Sequence, residues 1–81
     1  MTPARFRTRI KFCGMTRLED ALQAAALGAD FVGFVMVPGS ARAIAPAAAQ
    51  AIAAQLPAAI STAALFQDAE ATRIRDCLQQ F

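Results

Sequence analysis

The chain has 81 residues, which allows one small domain at most. Hydrophobic residues make up 57% of it and charged residues 17%, a balance that excludes a highly charged disordered chain. The formal net charge of +2 is small for a protein that binds a polyanion. Its densest basic run, from Arg5 to Lys11, is interpreted as a tail followed by one polar strand face. We therefore expect no nucleic-acid partner.

The sequence indicates a cytoplasmic protein without a membrane segment. Its first twelve residues contain no apolar core of the kind that signal peptides have. The longest strongly apolar run, from Phe31 to Val37, is far too short to span a bilayer. The two cysteines, Cys13 and Cys77, would pair only in an oxidising compartment, so we expect them to be reduced.

The first predicted strand covers residues 8–13 and is followed by a predicted helix. Its residues alternate in character, with Ile10 and Phe12 on the face that should pack against helices. Lys11 and Cys13 lie on the opposite face, and Gly14 ends the strand.

The first helix is predicted over residues 17–27. Thr16 and Glu19 have the spacing of a capping box, in which each side chain bonds to the backbone N–H of the other residue. Leu22 belongs to an apolar stripe at helical spacing, and Gly28 is a typical residue just beyond a helix end.

Two further strand–helix units follow. The continuous apolar run at residues 31–37 is typical of a strand that is buried on both faces in a parallel sheet. A helix at 46–56, a strand at 60–66 and a helix at 69–80 complete the pattern, with Asp68 as the expected N-cap of the last helix. Regular alternation of strands and helices predicts an α/β fold with parallel strands.

A group of ordered motifs resembles the phosphoribosylanthranilate isomerase family. The segment Lys11-Phe12-Cys13-Gly14-Met15-Thr16 is similar to the motif that opens these enzymes. The later matches are Leu18-Glu19-Asp20-Ala21, Gly28-Ala29-Asp30, Val32-Gly33-Phe34-Val35, and Pro38, Ser40, Arg42 and Pro46 of a P-x-S-x-R-x-x-x-P loop. The resemblance covers about residues 8–80. It implies that residues 1–81 form one partial TIM-barrel domain, the first three βα units of an incomplete (β/α)8 barrel.

The resemblance also implies a reaction and the residues that perform it. These isomerases catalyse the Amadori rearrangement of N-(5-phosphoribosyl)anthranilate to 1-(2-carboxyphenylamino)-1-deoxyribulose 5-phosphate in tryptophan biosynthesis, with no cofactor and no metal. By resemblance Cys13 is the general base. Arg42 matches an arginine near the substrate's carboxylate, and Gly14 is a weaker candidate for substrate binding. The family's general acid and phosphate site lie in later parts of its barrel, beyond this stretch.

Other interpretations remain open for the same residues. Gly14 and Gly33 have a purely structural interpretation, as places where the backbone packs tightly, and Cys77 is expected in the core. Three βα units leave a sheet with open edges, so we expect one of three outcomes for the chain: association with a C-terminal barrel portion, self-association, or a partly ordered state. We expect no isomerase activity from the 81 residues alone. The alternative function is a non-catalytic half-barrel that serves as a binding or assembly module.

Overall fold

The computed structural model describes residues 7–81; residues 1–6, which include Arg5 of the basic run, lie outside the described part. Three strands alternate with three helices: β1 (Lys11–Phe12), α1 (Leu18–Ala26), β2 (Phe31–Val35), α2 (Pro46–Ala53), β3 (Ser61–Leu65) and α3 (Ala71–Leu78). The strands are parallel and lie in the order β1-β2-β3. The predicted α/β class, with parallel strands in an open three-unit sheet, is confirmed.

The strand β2 occupies the centre of the sheet. It pairs with β3 along all five residues, whereas it pairs with β1 over only two. The strand β1 covers two residues, whereas residues 8–13 were predicted. On its N-terminal side, the backbone N–H of Ile10 donates to the Asp30 carboxylate at 2.8 Å and not to a neighbouring strand. Ile10 is also 46% exposed, so the expectation that it packs against helices was wrong.

The core is built around β2, as the continuous apolar run predicts. Val32 and Phe34 are completely buried, and Met36 follows them at the end of the strand with 2% exposure. The helices contribute mostly small side chains, Ala21 and Ala24 from α1, Ala49 and Ile52 from α2, and Cys77 from α3. Small residues let the helices lie close to the sheet. The apolar stripe of α1 is narrower than expected, since Leu22 is 42% exposed.

Two predicted helix caps were wrong. The N-cap of α1 is Arg17 instead of Thr16, and no side chain caps it. Glu19 accepts a hydrogen bond from the Arg17 guanidinium at 3.1 Å, so this carboxylate is engaged with a neighbour and does not reach back to Thr16. Asp68 adopts a φ of 51°, a left-handed turn conformation, and the N-cap of α3 is Glu70.

The N-terminal end of the sheet is fastened by Asp30. Its carboxylate accepts the Ile10 N–H and pairs with the guanidinium of Arg7. Its backbone N–H donates to the Ile10 carbonyl at 2.9 Å, and its carbonyl accepts from the N–H of Ser61 at 3.0 Å. Hydrogen bonds from Arg7 and from the Ile10 backbone lower the pKa of Asp30. One residue therefore connects the starts of all three strands.

Some apolar surface stays uncovered. Within residues 7–81, β1 and β3 each pair along one edge only. The large hydrophobic residues that are exposed are Ile10, Leu22, Leu27, Leu78 and Phe81. No helix in this part of the chain has the length and apolar character needed to cross a membrane.

Candidate functional site

Cys13 lies at the carboxyl end of β1, where the chain turns toward α1. It is half-buried, and its thiol is not part of a disulfide. The two following N–H groups, of Gly14 and Met15, both donate to the carbonyl of Gly33, at 3.0 and 3.1 Å. The turn after Cys13 is thereby bonded to the middle of β2. This fixes the backbone that carries the thiol against the most buried strand of the sheet.

Gly33 brings the two strands close together beside that thiol. A Cβ atom placed on Gly33 would lie 3.0 Å from the Sγ of Cys13 and 3.3 Å from its Cα, closer than side-chain atoms ordinarily approach. The expectation of tight backbone packing at Gly33 is therefore confirmed. A glycine inside a strand often marks such a close approach.

The segment between β2 and α2 folds back onto the end of β2. The N–H of Ile44 donates to the carbonyl of Val35 at 3.1 Å, and Val35 forms an isolated parallel bridge with Ala43. Ser40 stabilises the turn in this segment, because its hydroxyl accepts the N–H of Arg42 at 3.2 Å and its carbonyl accepts the N–H of Ala43. This geometry holds Arg42 beside the carboxyl ends of the strands.

The Arg42 side chain lies across Gly14 and reaches the backbone of Cys13. Its Nη1 atom is 3.4 Å from the Cys13 carbonyl oxygen. A Cβ atom on Gly14 would lie 2.6 Å from the Cδ of Arg42 and 2.8 Å from its Nε, so only glycine leaves room for the side chain in this position. Gly14 also has a φ of 79°, which L-residues rarely adopt. The structure thus brings together all three residues that the sequence singled out.

This arrangement combines two chemical capacities at one end of the sheet. A cysteine that ionises provides a thiolate able to accept a proton. A guanidinium presents paired N–H donors that match the geometry of a planar carboxylate. Active sites of TIM barrels are found at this carboxyl end of the strands. The arrangement therefore offers a group that can accept a proton beside a group that can bind an anion.

Arg73 supports the loop that carries Arg42, and no pattern in the sequence indicates this role. Its Nη2 atom donates to the carbonyl of Met36 at 2.6 Å, and its guanidinium lies 5.6 Å from the centre of the Phe66 ring. Arg73 therefore ties α3 to the point where the chain leaves β2 for the loop that carries Arg42. No spacing rule indicates this contact, because it joins residues that are 37 positions apart.

No family model matches the chain. The similarity that is found is to curated proteins and to solved structures of one kind of isomerase. It is 45% identical over 74 residues to the N-(5'-phosphoribosyl)anthranilate isomerase of Nitrosococcus oceani, which is 91% of this chain and 36% of the relative. The isomerase of Chromohalobacter salexigens is 48% identical over 75 residues, again covering 36% of the relative. The chain thus spans about a third of the length of the curated relatives it matches.

Solved structures show the same correspondence. The phosphoribosyl anthranilate isomerase of Thermus thermophilus superposes with a TM-score of 0.87 at 45% identity, over 90% of this chain and 36% of that one. The Thermotoga maritima enzyme gives a TM-score of 0.89 at 40% identity, over 91% and 36%. A further isomerase structure with a TM-score of 0.89 is a complex with reduced 1-(o-carboxyphenylamino)-1-deoxyribulose 5-phosphate. The three βα units described above therefore match the corresponding units of these barrels.

Proposed function

We propose that this chain, a homologue of the phosphoribosylanthranilate isomerases over nearly its whole length, supplies the part of such an isomerase that carries the base. The reaction is the conversion of N-(5-phosphoribosyl)anthranilate to 1-(2-carboxyphenylamino)-1-deoxyribulose 5-phosphate. The observation that carries the proposal is the meeting of Cys13 and Arg42 over Gly14 at the carboxyl end of the strands.

Cys13 is proposed as the general base. After the sugar ring opens, the thiolate takes the proton from C2′ of the protonated imine. The electrons of that C–H bond form the C1′=C2′ double bond, and the electrons of the C1′=N double bond move to the nitrogen, which gives a neutral enolamine. Loss of the proton of the 2′ hydroxyl and addition of a proton at C1′ then give the ketone, so that C2′ is oxidised while C1′ is reduced within one molecule. This makes the enzyme an aldose–ketose type of intramolecular oxidoreductase. A well-placed base of this kind contributes about 10²–10⁴-fold to the rate.

Arg42 is proposed to hold the anthranilate carboxylate. Its guanidinium is exposed, and the bond to the Cys13 carbonyl uses only one of its five N–H groups. Gly14 is proposed to border the substrate, because its bare backbone lies between the thiol and the guanidinium. The homologous isomerase in complex with a reduced carboxyphenylamino product analogue supports a ligand of this chemistry.

The partner is proposed to be the remainder of the barrel. The outer edge of β3 is unpaired within the described residues. A further βα unit next to β3 would cover this edge, as expected for relatives about three times as long. We place the reaction in the cytoplasm, where a catalytic thiol such as Cys13 stays reduced.

The decisive experiment joins residues 1–81 to the remaining part of the Nitrosococcus oceani isomerase, which we call the joined barrel. We expect the joined barrel to convert N-(5-phosphoribosyl)anthranilate, whereas the 81 residues alone do not. The matched variant Cys13→Ser should fold equally well and lose turnover. A joined barrel that folds but is inactive would contradict the proposal and favour the non-catalytic half-barrel module.

Self-association is the competing explanation for the uncovered edges. Sedimentation of the 81-residue chain, with and without the separately expressed remainder of the relative, distinguishes the two. The proposed partner predicts a one-to-one complex that replaces any homo-oligomer. A homo-oligomer that persists in the presence of an excess of the remainder would contradict it.

A further inference from the structure

We propose that Gly33 and Gly14 are positioning residues, and that each acts by leaving room for one functional side chain. Gly33 sets the place of the Cys13 thiol, and Gly14 sets the place of the Arg42 guanidinium. The effect on turnover rests on the proposed function. The contacts on which the inference depends belong to the fold, and they are tested separately from the proposed function.

A side chain added at Gly33 would make close contacts that the surrounding residues cannot easily move to avoid. Gly33 is buried in the central strand, between Val32 and Phe34, which are both completely buried. An added methyl group would meet the Sγ, Cβ and Cα of Cys13 at 3.0, 3.4 and 3.3 Å. Because close-packed interiors resist movement, the half-buried turn at Cys13 has to give way. The thiol would then leave its present position.

The backbone of Gly33 strengthens this dependence. Its carbonyl accepts both N–H groups that follow Cys13, at 3.0 and 3.1 Å. Any shift of β1 away from a larger residue at 33 therefore also strains the two bonds that orient the turn. The position of the thiol depends on Gly33 through its missing side chain and through its carbonyl.

The contact at Gly14 is of a different kind. A methyl group there would lie within 2.8 Å of the Cδ, Nε and Nη1 atoms of Arg42, which belong to the outer part of a flexible side chain. The guanidinium would swing away, whereas the β1 backbone would keep its bonds to β2. Gly14 also has a positive φ, so the strain of a side chain in that conformation has to be separated from the loss of Arg42 placement.

Two other glycines provide that separation. Gly28 and Gly39 have φ values of 94° and 88°, and a Cβ atom on either would meet nothing within 4 Å. Gly28→Ala therefore imposes the same kind of backbone strain as Gly14→Ala without touching a functional side chain. For Gly33, the matched variant is Val32→Ala, which weakens the same strand by leaving a cavity on the opposite face of the sheet from residue 33.

The inference predicts a division between two kinetic constants in the joined barrel. Gly33→Ala should lower kcat by about 10²-fold, because a small misplacement of a reacting group has effects of that size. Gly14→Ala should raise KM by about 10-fold with a smaller change in kcat, as expected for loss of a binding contact. Gly28→Ala and Val32→Ala should change neither constant by more than about 2-fold at a temperature where the barrel remains folded. The same constants for Gly33→Ala and Val32→Ala, or for Gly14→Ala and Gly28→Ala, would overturn the inference.

A second measurement uses the 81-residue chain and needs no turnover. Iodoacetamide labelling, followed by peptide mass spectrometry, gives separate rates for Cys13 and for the buried Cys77. Gly33→Ala should change the Cys13 rate several-fold and leave the Cys77 rate as it is, whereas general loosening would raise both. An unchanged Cys13 rate would overturn the role of Gly33 even if the joined barrel is active. An inactive wild-type joined barrel would contradict the proposed function, while the labelling result still decides on Gly33.

Discussion

The two ends of the sheet are built in opposite ways. At the N-terminal end, Asp30 uses its carboxylate, its N–H and its carbonyl to bind Arg7, Ile10 and Ser61. At the carboxyl end, the notable residues are glycines, and what they provide is space beside Cys13. The first end holds the strands together with hydrogen bonds and an ion pair, whereas the second leaves room for the side chains of Cys13 and Arg42. The proposed function therefore places the chemistry at the end of the sheet opposite to the Asp30 contacts.

The helix starts show the same division. In βα units the N-terminus of each helix lies near the carboxyl ends of the strands. The N-caps of α1, α2 and α3 are Arg17, Ala45 and Glu70, and none of the three makes a side-chain capping bond. A missing cap costs about 1 kcal/mol of stability. The helix starts at the carboxyl end of the sheet therefore contribute less to stability than capped helix starts would.

The largest expected effect separates chemistry from stability at the carboxyl end. Cys13→Ala in the joined barrel should lower kcat by about 10²–10⁴-fold, because the proposed base is removed. The same change should alter the free energy of unfolding by about 1 kcal/mol or less, because Cys13 is only half-buried. Turnover assays and urea unfolding of the same preparation measure both. If the loss of activity instead matched a loss of folded protein, Cys13 would serve stability, and the difference between the two ends of the sheet would be contradicted.

The reverse pattern is expected for Asp30. Asp30→Asn should lower the urea midpoint of the 81-residue chain, since the pair with Arg7 is lost and the bond to Ile10 weakens. The iodoacetamide rate of Cys13 under native conditions should stay the same. Glu19→Gln is a suitable control, because the Arg17–Glu19 pair is highly exposed and such pairs contribute little. A change in Cys13 labelling without a change in midpoint would contradict the assignment.

Acid should weaken the N-terminal end selectively. The pKa of Asp30 is lowered in the folded chain, mainly by the hydrogen bond from Arg7. Its contribution to stability is therefore complete above the pKa of the unfolded chain, near 4. That contribution is lost as the pH falls through the lower pKa of the folded state. Urea midpoints between pH 6 and pH 2.5 should fall less steeply for Asp30→Asn than for the wild type. Parallel curves would show that Asp30 is not the group responsible.

A smaller effect is expected where α3 meets the carboxyl end of β2. Arg73→Met removes the hydrogen bond to the Met36 carbonyl and the stacking on Phe66, and keeps much of the aliphatic length. We expect a loss of about 1–2 kcal/mol in the free energy of unfolding. Arg75→Met, on the same helix, is the control. Equal losses for the two variants would remove the special role of Arg73.

The smallest effect is a gain at a helix start. Ala45→Asp should stabilise the chain by about 1 kcal/mol, because a carboxylate at the N-cap of α2 can accept a backbone N–H. Ala47→Asp places the same charge inside the first turn without the cap and should give less, about 0.5 kcal/mol. Thermal unfolding of the two variants side by side measures the difference. Equal gains would mean that charge alone, and not capping, is missing at this end.

Much of the fold was predictable because the patterns are local. The continuous run at residues 31–37 indicated a strand buried on both faces, and Val32 and Phe34 are its completely buried members. The resemblance in ordered motifs singled out Cys13 and Arg42 separately, and the structure places the Arg42 side chain against the backbone of Cys13.

The parts that were not predictable depend on competition and on distance. The capping box failed because Glu19 pairs with Arg17, a choice between two partners that spacing does not decide. Asp68 lies in a left-handed turn, so the helix starts later than its residue type suggested. The contacts of Gly33 with Cys13 and of Arg73 with Met36 join separate elements. Which residues of separate elements lie close together cannot be determined from the local patterns of one sequence.

The strand order has a consequence for how the chain folds during synthesis. Each strand pairs with the next one along the sequence, so the sheet is extended in the direction in which the ribosome adds residues. The contacts among Cys13, Gly33 and Arg42 all lie within residues 13–42, whereas β3 begins at Ser61. All three residues are therefore synthesised before the first residue of β3 is added.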